Sequence, residues 1–497
     1  MTLRAAAALL LSLPCFPQSV ELLAGTAKSD ITDYAAGPVN DPSYSKALVL
    51  RSGAATAVLI TVDAVAIGEI GRIPNTFMDT VRSRLRAELG IAPESVIVNA
   101  SHCHSIIRTD TDALTVETVK QALRQLTPVR AGAGRGTETR IMENRRLRMN
   151  DGSEVDLRRA YSMPRDEDAA ATGPVDPEIG LLRLDRLDGS PFSVLYNFAA
   201  HPIMGVPSGG NTADYPGFAS RVIEENLGGA MAFFVQGAGG DINPVRYKGV
   251  LQPNDAEPLG NLLGLSVMRG VREIRTRAAA PLKIIRETLA LPRAADIERR
   301  IMAAEAERIR LVDSLAPTNI NFKTFVTLLV QHRLSPEFPS YYSQGYLHDR
   351  AAGRDPLVKL DAVNKTELER YARNIDAMER ITRIQTNLAL LRRHLARVVE
   401  AKSAPLQVDV VGLRVGDFRM ITFPGELTVE IGLNIKKRRA ADSFTFVAGY
   451  TNGYIYYTPT AAQRNNTGFA QEDCDSMVAP EWQAAFEERA LSILGRL

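Results

Sequence analysis

The chain has 497 residues, with 59 Lys and Arg against 57 Asp and Glu, 45% hydrophobic residues and 23% charged residues. This composition is that of a soluble globular protein and excludes a disordered chain or a collagen-like repeat. A net charge of +2 gives no electrostatic reason to expect nucleic acid, and at about 100–200 residues per domain the length allows two to four domains or one large α/β domain with an insertion.

Residues 1–19 read as a secretory leader (signal peptide): Arg4 is a minimal basic region, residues 5–13 an apolar core, and Pro17-Gln18-Ser19 ends on a small residue. The expected location is therefore secreted or periplasmic. Cleavage would remove Cys15 and leave Cys103 and Cys474, enough for one bridge but too few for a disulfide framework. No other segment has the roughly 20 uninterrupted apolar residues of a transmembrane segment.

From residue 20 to 292, short β-branched runs alternate with helical stretches, which predicts an α/β fold, an α+β layered domain with mixed sheets. Strands are expected at 57–62, 96–99, 193–198 and 232–235. Each ends at a polar or Gly-rich turn, and these turns carry Asp63, His102, His201 and Asp241. Residues 293–402 read as a helical insertion. An apolar stripe from Leu368 through Ile381, Leu388 and Leu395 to Val398 predicts one continuous helix, with Ile297, Ile301, Ala304, Ile309 and Val312 on an antiparallel partner. His332, His348 and His394 lie here without mutual metal-ligand spacing and read as surface or packing residues. Strand patterning returns at 406–413, 418–423 and 444–448, and 481–497 reads as a closing helix. The expected organisation is thus a catalytic domain in two parts, 20–292 and 403–497, with the insertion between them.

The strongest local motif is Asn99-Ala100-Ser101-His102-Cys103-His104-Ser105, directly after Val96-Ile97-Val98. On an extended chain, residues i and i+2 point to one side, so both imidazoles can face one metal or one water molecule. Cys103 then faces away and has three readings: a third ligand, a bridge to Cys474, or a small buried apolar residue, the last being favoured. His201, in Asn197-Phe198-Ala199-Ala200-His201-Pro202, is a third histidine at a strand end, and three such imidazoles suit zinc. The run from Gln236 to Pro244 lacks the Gly-Lys-Ser/Thr of a phosphate loop, and its glycines read as a close-approach loop at a pocket rim. Phe423-Pro424-Gly425-Glu426-Leu427-Thr428 places a carboxylate just past a strand, and four tyrosines cluster between Gly449 and Tyr457. Taken alone, these last two motifs would read as a helix cap and as aromatic packing. Asp63 and Asp241 read either as carboxylates that orient a histidine or as solvated strand-end groups.

In their order these motifs resemble the neutral, non-lysosomal ceramidase family of zinc amidases, from about Gly25 to about Tyr457. The residues that carry the resemblance are Gly25-Thr26-Ala27-Lys28-Ser29-Asp30-Ile31-Thr32, His102 with His104, Asn144-Arg145, His201, Gly240-Asp241-Ile242-Asn243-Pro244, Pro424-Gly425-Glu426, and Asn452-Gly453-Tyr454 with Tyr457. The resemblance implies zinc as cofactor, with His102, His201, Glu426 and Tyr457 as its ligands. It also implies His104 beside the activated water, Arg145 lining the pocket, and Asn243 among the catalytic residues. Three positions depart from the family pattern: Ile106-Ile107-Arg108-Thr109 stands where Gly-Pro-Gly-Gly is usual, Asn243 replaces a serine, and Phe469 aligns with a tyrosine. The implied function is an exported zinc-dependent hydrolase that cleaves an amide (N-acyl) bond in a lipid such as ceramide or a related amphiphile. Its partners would be a lipid or small-molecule substrate, with peripheral membrane contact and no nucleic acid. Two alternatives are a zinc esterase or deacylase on another N- or O-acylated substrate, and a ceramidase-like lipid-binding protein without catalysis.

Overall fold

The computed structural model describes residues 21–156, 164–278, 280–439, 444–468 and 470–497. The leader-like residues 1–19, with Cys15, and the departure at Phe469 lie outside the described residues.

Eight strands form the larger sheet: β1 (Leu22–Asp30), β2 (Tyr44–Ser52), β3 (Ala55–Val62), β4 (Val96–Ala100), β5 (Thr127–Thr137), β6 (Glu178–Arg186), β7 (Pro191–Phe198) and β8 (Met231–Gln236). Their order is β8-β7-β6-β5-β1-β2-β3-β4. The outermost pairs, β3 with β4 and β7 with β8, are parallel, and the inner neighbours are antiparallel. A second sheet runs β9 (Leu282–Leu291), β10 (Leu406–Val415), β11 (Phe418–Thr422) and β12 (Phe444–Ala448), with β11 and β12 parallel. The strands expected in the first half of the chain are present, with ends within two residues of those read from the sequence.

Both faces of the larger sheet are buried, which is why its strands read as near-continuous apolar runs rather than as an alternation. Val49, Val58 and Ile60 face the helices Phe77–Leu89 and Thr111–Arg124, through Phe77, Val81, Val116 and Val119. Leu48, Leu50, Leu59 and Leu195 face the second sheet, through Val411, Leu413, Met420 and Phe446. The closing helix Trp482–Arg496 covers the far side of that second sheet with Trp482, Phe486 and Ile493. The result is a layered α/β architecture with mixed sheets.

β4 and β8 lie at opposite edges of the larger sheet, yet their C-terminal ends meet. Asn99 at the end of β4 accepts a hydrogen bond from the Gln236 amide of β8 at 2.9 Å. Its Nδ2 donates to the Gly449 carbonyl and to Thr451 Oγ1, just past β12. The C-terminal ends of the three parallel pairs in these two sheets therefore converge on one place.

Between β9 and β10, which pair antiparallel with Leu291 opposite Leu406, the chain makes a helical excursion. Its helices are Ile297–Asp313, Phe322–Leu334, Ser343–Ala351 and Pro356–Glu400. The last has 45 residues and spans about 67 Å. Ile297 clusters with Leu391 and Val398 while Leu311 clusters with Ala377, Ile381 and Ile384, so the first and last helices pack antiparallel. Cys103 and Cys474 are both buried and are not joined to each other. Among the described residues, no helix is long and apolar enough to cross a membrane.

Candidate metal centre

The chain leaves β4 at Ala100 and turns at once. His102 has φ 68°, a left-handed conformation that is uncommon for a residue with a side chain and that clusters at functional sites. The His-x-His segment is therefore not extended, and the two rings do not project side by side from a strand. The His102 amide donates to the Ala64 carbonyl at 3.0 Å, and its Nδ1 lies 2.5 Å from the Val65 carbonyl. His201, past the end of β7, places its Nδ1 3.0 Å from the Ile242 carbonyl. A carbonyl only accepts, so each ring carries a proton on Nδ1 and, when neutral, presents Nε2 as a lone pair.

These two nitrogens face a carboxylate. Glu426 Oε2 lies 3.0 Å from His201 Nε2 and 3.5 Å from His102 Nε2, and all three side chains are buried. Burial pushes the His102 imidazole down to about 4, so the ring is neutral at pH 7. Burial opposes ionisation of Glu426, but His102, His201 and the Tyr454 hydroxyl hold its carboxyl well below the usual range. Tyr450 donates to Glu426 Oε2 at 3.2 Å and Tyr454 donates to Oε1. Two imidazole nitrogens and one carboxylate oxygen thus converge within 4.8 Å of one another. Two imidazoles and a carboxylate are a donor set that zinc takes.

Glu426 also fixes Tyr457. The two-residue strand Glu426–Leu427 pairs in parallel with Tyr457–Thr458, Glu426 opposite Tyr457. The Tyr457 ring stacks 6.5 Å from that of His201, and the Arg145 guanidinium lies 5.4 Å from its centroid. Arg145 is buried and donates to Glu472 at 2.6 Å, to Asn243 Oδ1 at 3.3 Å and to the Gly240 carbonyl at 2.5 Å. Burial disfavours its charge, but Glu472 and Tyr457 raise its pKa well above the ordinary value. Asn243 is buried, and its Nδ2 has no hydrogen-bond partner among the described residues. His104 is exposed, its ring 5.6 Å from that of His102. His102, His104, Arg145, His201, Asn243, Glu426 and Tyr457 all line one cavity of about 660 Å³.

The carboxylates read as histidine-orienting candidates bind backbone amides and other side chains instead. Asp241 accepts from the Val429 amide at 2.8 Å and from Asn144, and Asp63 accepts from the Tyr44 amide at 2.9 Å. Burial raises both to about 6. The imidazoles are oriented by the Val65 and Ile242 carbonyls, which no side-chain motif records. The close-approach reading of the Gly-rich loop has a steric basis: a Cβ on Gly240 would sit 2.6 Å from the Glu426 carbonyl oxygen. Two contributions were missed in the sequence. Tyr450 and Tyr454 reach Glu426, and their place past a strand end was the available signal. Arg383, Thr386 and Asn387 of the long helix form part of the cavity wall, with no signal in their polar pattern.

No protein-family model matches the sequence, and no curated protein matches it at the sequence level. Solved structures do match. A neutral ceramidase from Pseudomonas aeruginosa superposes with a TM-score of 0.59 at 16% identity, over 96% of this chain and 75% of that one. A ceramidase complexed with C2 gives 0.59 at 15% identity, over 96% and 76%. Nearly the whole of this chain therefore has the fold of the neutral ceramidases.

Proposed function

We propose that the protein is a zinc-dependent hydrolase that cleaves an amide bond in an N-acylated amphiphile. The observation that carries this reading is the meeting of His102, His201 and Glu426 as a buried group on the wall of a cavity. The likeness in fold to ceramidases supports an N-acyl lipid as the substrate class. The catalytic domain comprises 20–292 and 403–497 with the insertion 293–402, and the leader-like residues 1–19 support export.

His102, His201 and Glu426 hold the metal, with Tyr457 beside them. When bound, zinc lowers the pKa of a water molecule to about 7 and polarises a carbonyl oxygen. The Val65 and Ile242 carbonyls keep both imidazoles in the ligating tautomer, and Tyr450 and Tyr454 fix the Glu426 carboxylate. His104, exposed at the cavity and near His102, takes the proton of the attacking water and returns it to the leaving amine. Asn243 offers its unused Nδ2 donor to the oxyanion that develops on the substrate carbonyl. Arg145, held by Glu472, keeps Asn243 and the Gly240 loop in place.

The test is metal analysis together with turnover. Purified protein is expected to carry one zinc per chain, and His102→Ala or His201→Ala should lose both metal and activity. Activity in metal-free protein would overturn the reading. Matched amide and ester substrates of one acyl chain decide which bond is cut, amide cleavage being the expected outcome.

A further inference from the structure

The metal cavity has two kinds of wall. One is built by residues 36–38, 106 and 203–212, and its polar groups are spent on holding it together. Asn211 Oδ1 accepts from the Ile106 amide at 2.8 Å and from Ser105 Oγ at 3.0 Å, while its Nδ2 donates to the Ile106 carbonyl at 2.8 Å. The Asp214 carboxylate accepts from the Gly205 amide at 2.6 Å and the Tyr215 amide at 2.7 Å. What this wall offers a ligand is Ala36, Pro38, Ile203 and Ile106, the last 39% exposed.

The other wall comes from the long helix and from the short helix Gln471–Cys474 that packs on it. Here polar groups are unspent. Asn387 is 7% exposed, yet its side-chain amide has no hydrogen-bond partner among the described residues. A carboxamide taken out of water without partners costs free energy, and a ligand that supplies them recovers it. The Gln471 side chain is likewise unpaired, while its backbone amide donates to Asp156 Oδ2 at 3.0 Å and fixes the residue in the wall. Asn387 also borders a second cavity, between the helices Ile297–Asp313 and Pro356–Glu400, whereas Gln471 borders the metal cavity and not that one.

We propose that Asn387 and Gln471 are specificity-determining residues, which bind a hydroxyl or amide group on the amine side of the scissile bond while the acyl chain lies along the apolar wall. A carboxamide donates and accepts at once, which matches a hydroxyl in both directions. A site built this way rejects the analogue that lacks the group, because its own polar atoms are then left unpaired. The inference rests on the reading of the substrate as an N-acylated amphiphile and adds the chemistry of its amine part.

The probes are N-butanoyl ethanolamine and N-butanoyl propylamine, which differ by a hydroxyl in place of a methyl group. With the zinc-loaded full chain, kcat/KM is expected to favour the ethanolamine amide at least about tenfold. Asn387→Leu should bring that ratio close to unity, and Gln471→Leu, at a partly exposed position, should narrow it. The affinities of both amides for the full chain stripped of metal, measured calorimetrically, give the same ratio without turnover. A chain that cleaves neither amide therefore refutes the hydrolase reading while the affinities still decide this one. Equal handling of the two amides by the wild type, or a ratio unchanged in both variants, overturns the proposal.

Discussion

Glu426 is the side chain on which the centre turns, because each oxygen of its buried carboxylate accepts from a tyrosine while Oε2 also faces both imidazoles. Tyr454→Phe removes one of those hydroxyls and keeps the ring. Loss of an outer partner of this kind lowers metal affinity about 10–100-fold, which chelator competition would measure; wild-type affinity would remove Tyr454 from this role. His102 predicts a pH effect on the metal-free protein. Its folded value of about 4 lies below the ordinary 6.5, so the unfolded chain takes up the proton first. Stability should fall as the pH drops from about 6.5 to about 4, by an amount on the order of 3 kcal/mol. Asp63 and Asp241, raised by burial, contribute with the opposite sign in that range, so the comparison with His102→Gln in denaturant titrations isolates the imidazole. A variant whose pH profile matches the wild type would refute the assignment. At this scale the histidines were legible because each follows an apolar strand run. The tyrosines were less so, since a tyrosine in an apolar stretch looks the same whether its hydroxyl meets a carboxylate or only packs. The left-handed turn at His102 was invisible, because nothing in the residue type demands it.

Among the elements, the helix Pro356–Glu400 does more than cover the surface. Arg393 and Arg397 lie 4.8 and 4.9 Å from the centroid of the Tyr456 ring, and the His394 ring meets its edge at 4.8 Å. His394 and Arg393 both reach Asp475, at 2.6 and 2.7 Å, and the Asp475 carbonyl accepts from the Tyr457 amide. Tyr456 itself has φ 62°. The helix therefore clamps a strained residue directly beside Tyr457. His394→Ala leaves Asp475 buried with one partner fewer, at a cost of about 1–3 kcal/mol in denaturant unfolding; a change within error would show that the contact is incidental. Removal of 293–402 should abolish metal binding in a chain that still gives soluble protein, because a wall of the cavity and the clamp go together. Retention of stoichiometric metal would contradict this. The apolar stripe made the helix itself legible from Leu368 onward. Its inward polar residues Arg383, Thr386 and Asn387 were not, because a half-buried cavity wall and a solvated helix face have the same composition.

At the scale of the whole molecule, the centre exists because three parallel strand pairs end together, and Asn99 joins them. Asn99→Ala would strip bonds to Gln236, Gly449 and Thr451 from a fully buried place. A loss on the order of 3 kcal/mol is expected in thermal or denaturant unfolding, along with weaker metal binding, since every ligand-bearing end is loosened at once. A loss below about 1 kcal/mol would show that the ends are held by other contacts. Strand positions could be read from local pattern, but the approach of β4 to β8 could not, because it depends on how eight strands curl and on partners more than a hundred residues away. That distribution along the chain has a kinetic consequence. His102, His201 and Glu426 are neighbours only through strand pairings far apart in the chain, so the group should be among the last contacts to form. A bound ion should then slow unfolding and leave the rate of folding almost unchanged, acting as a latch on the finished molecule rather than as a seed for it.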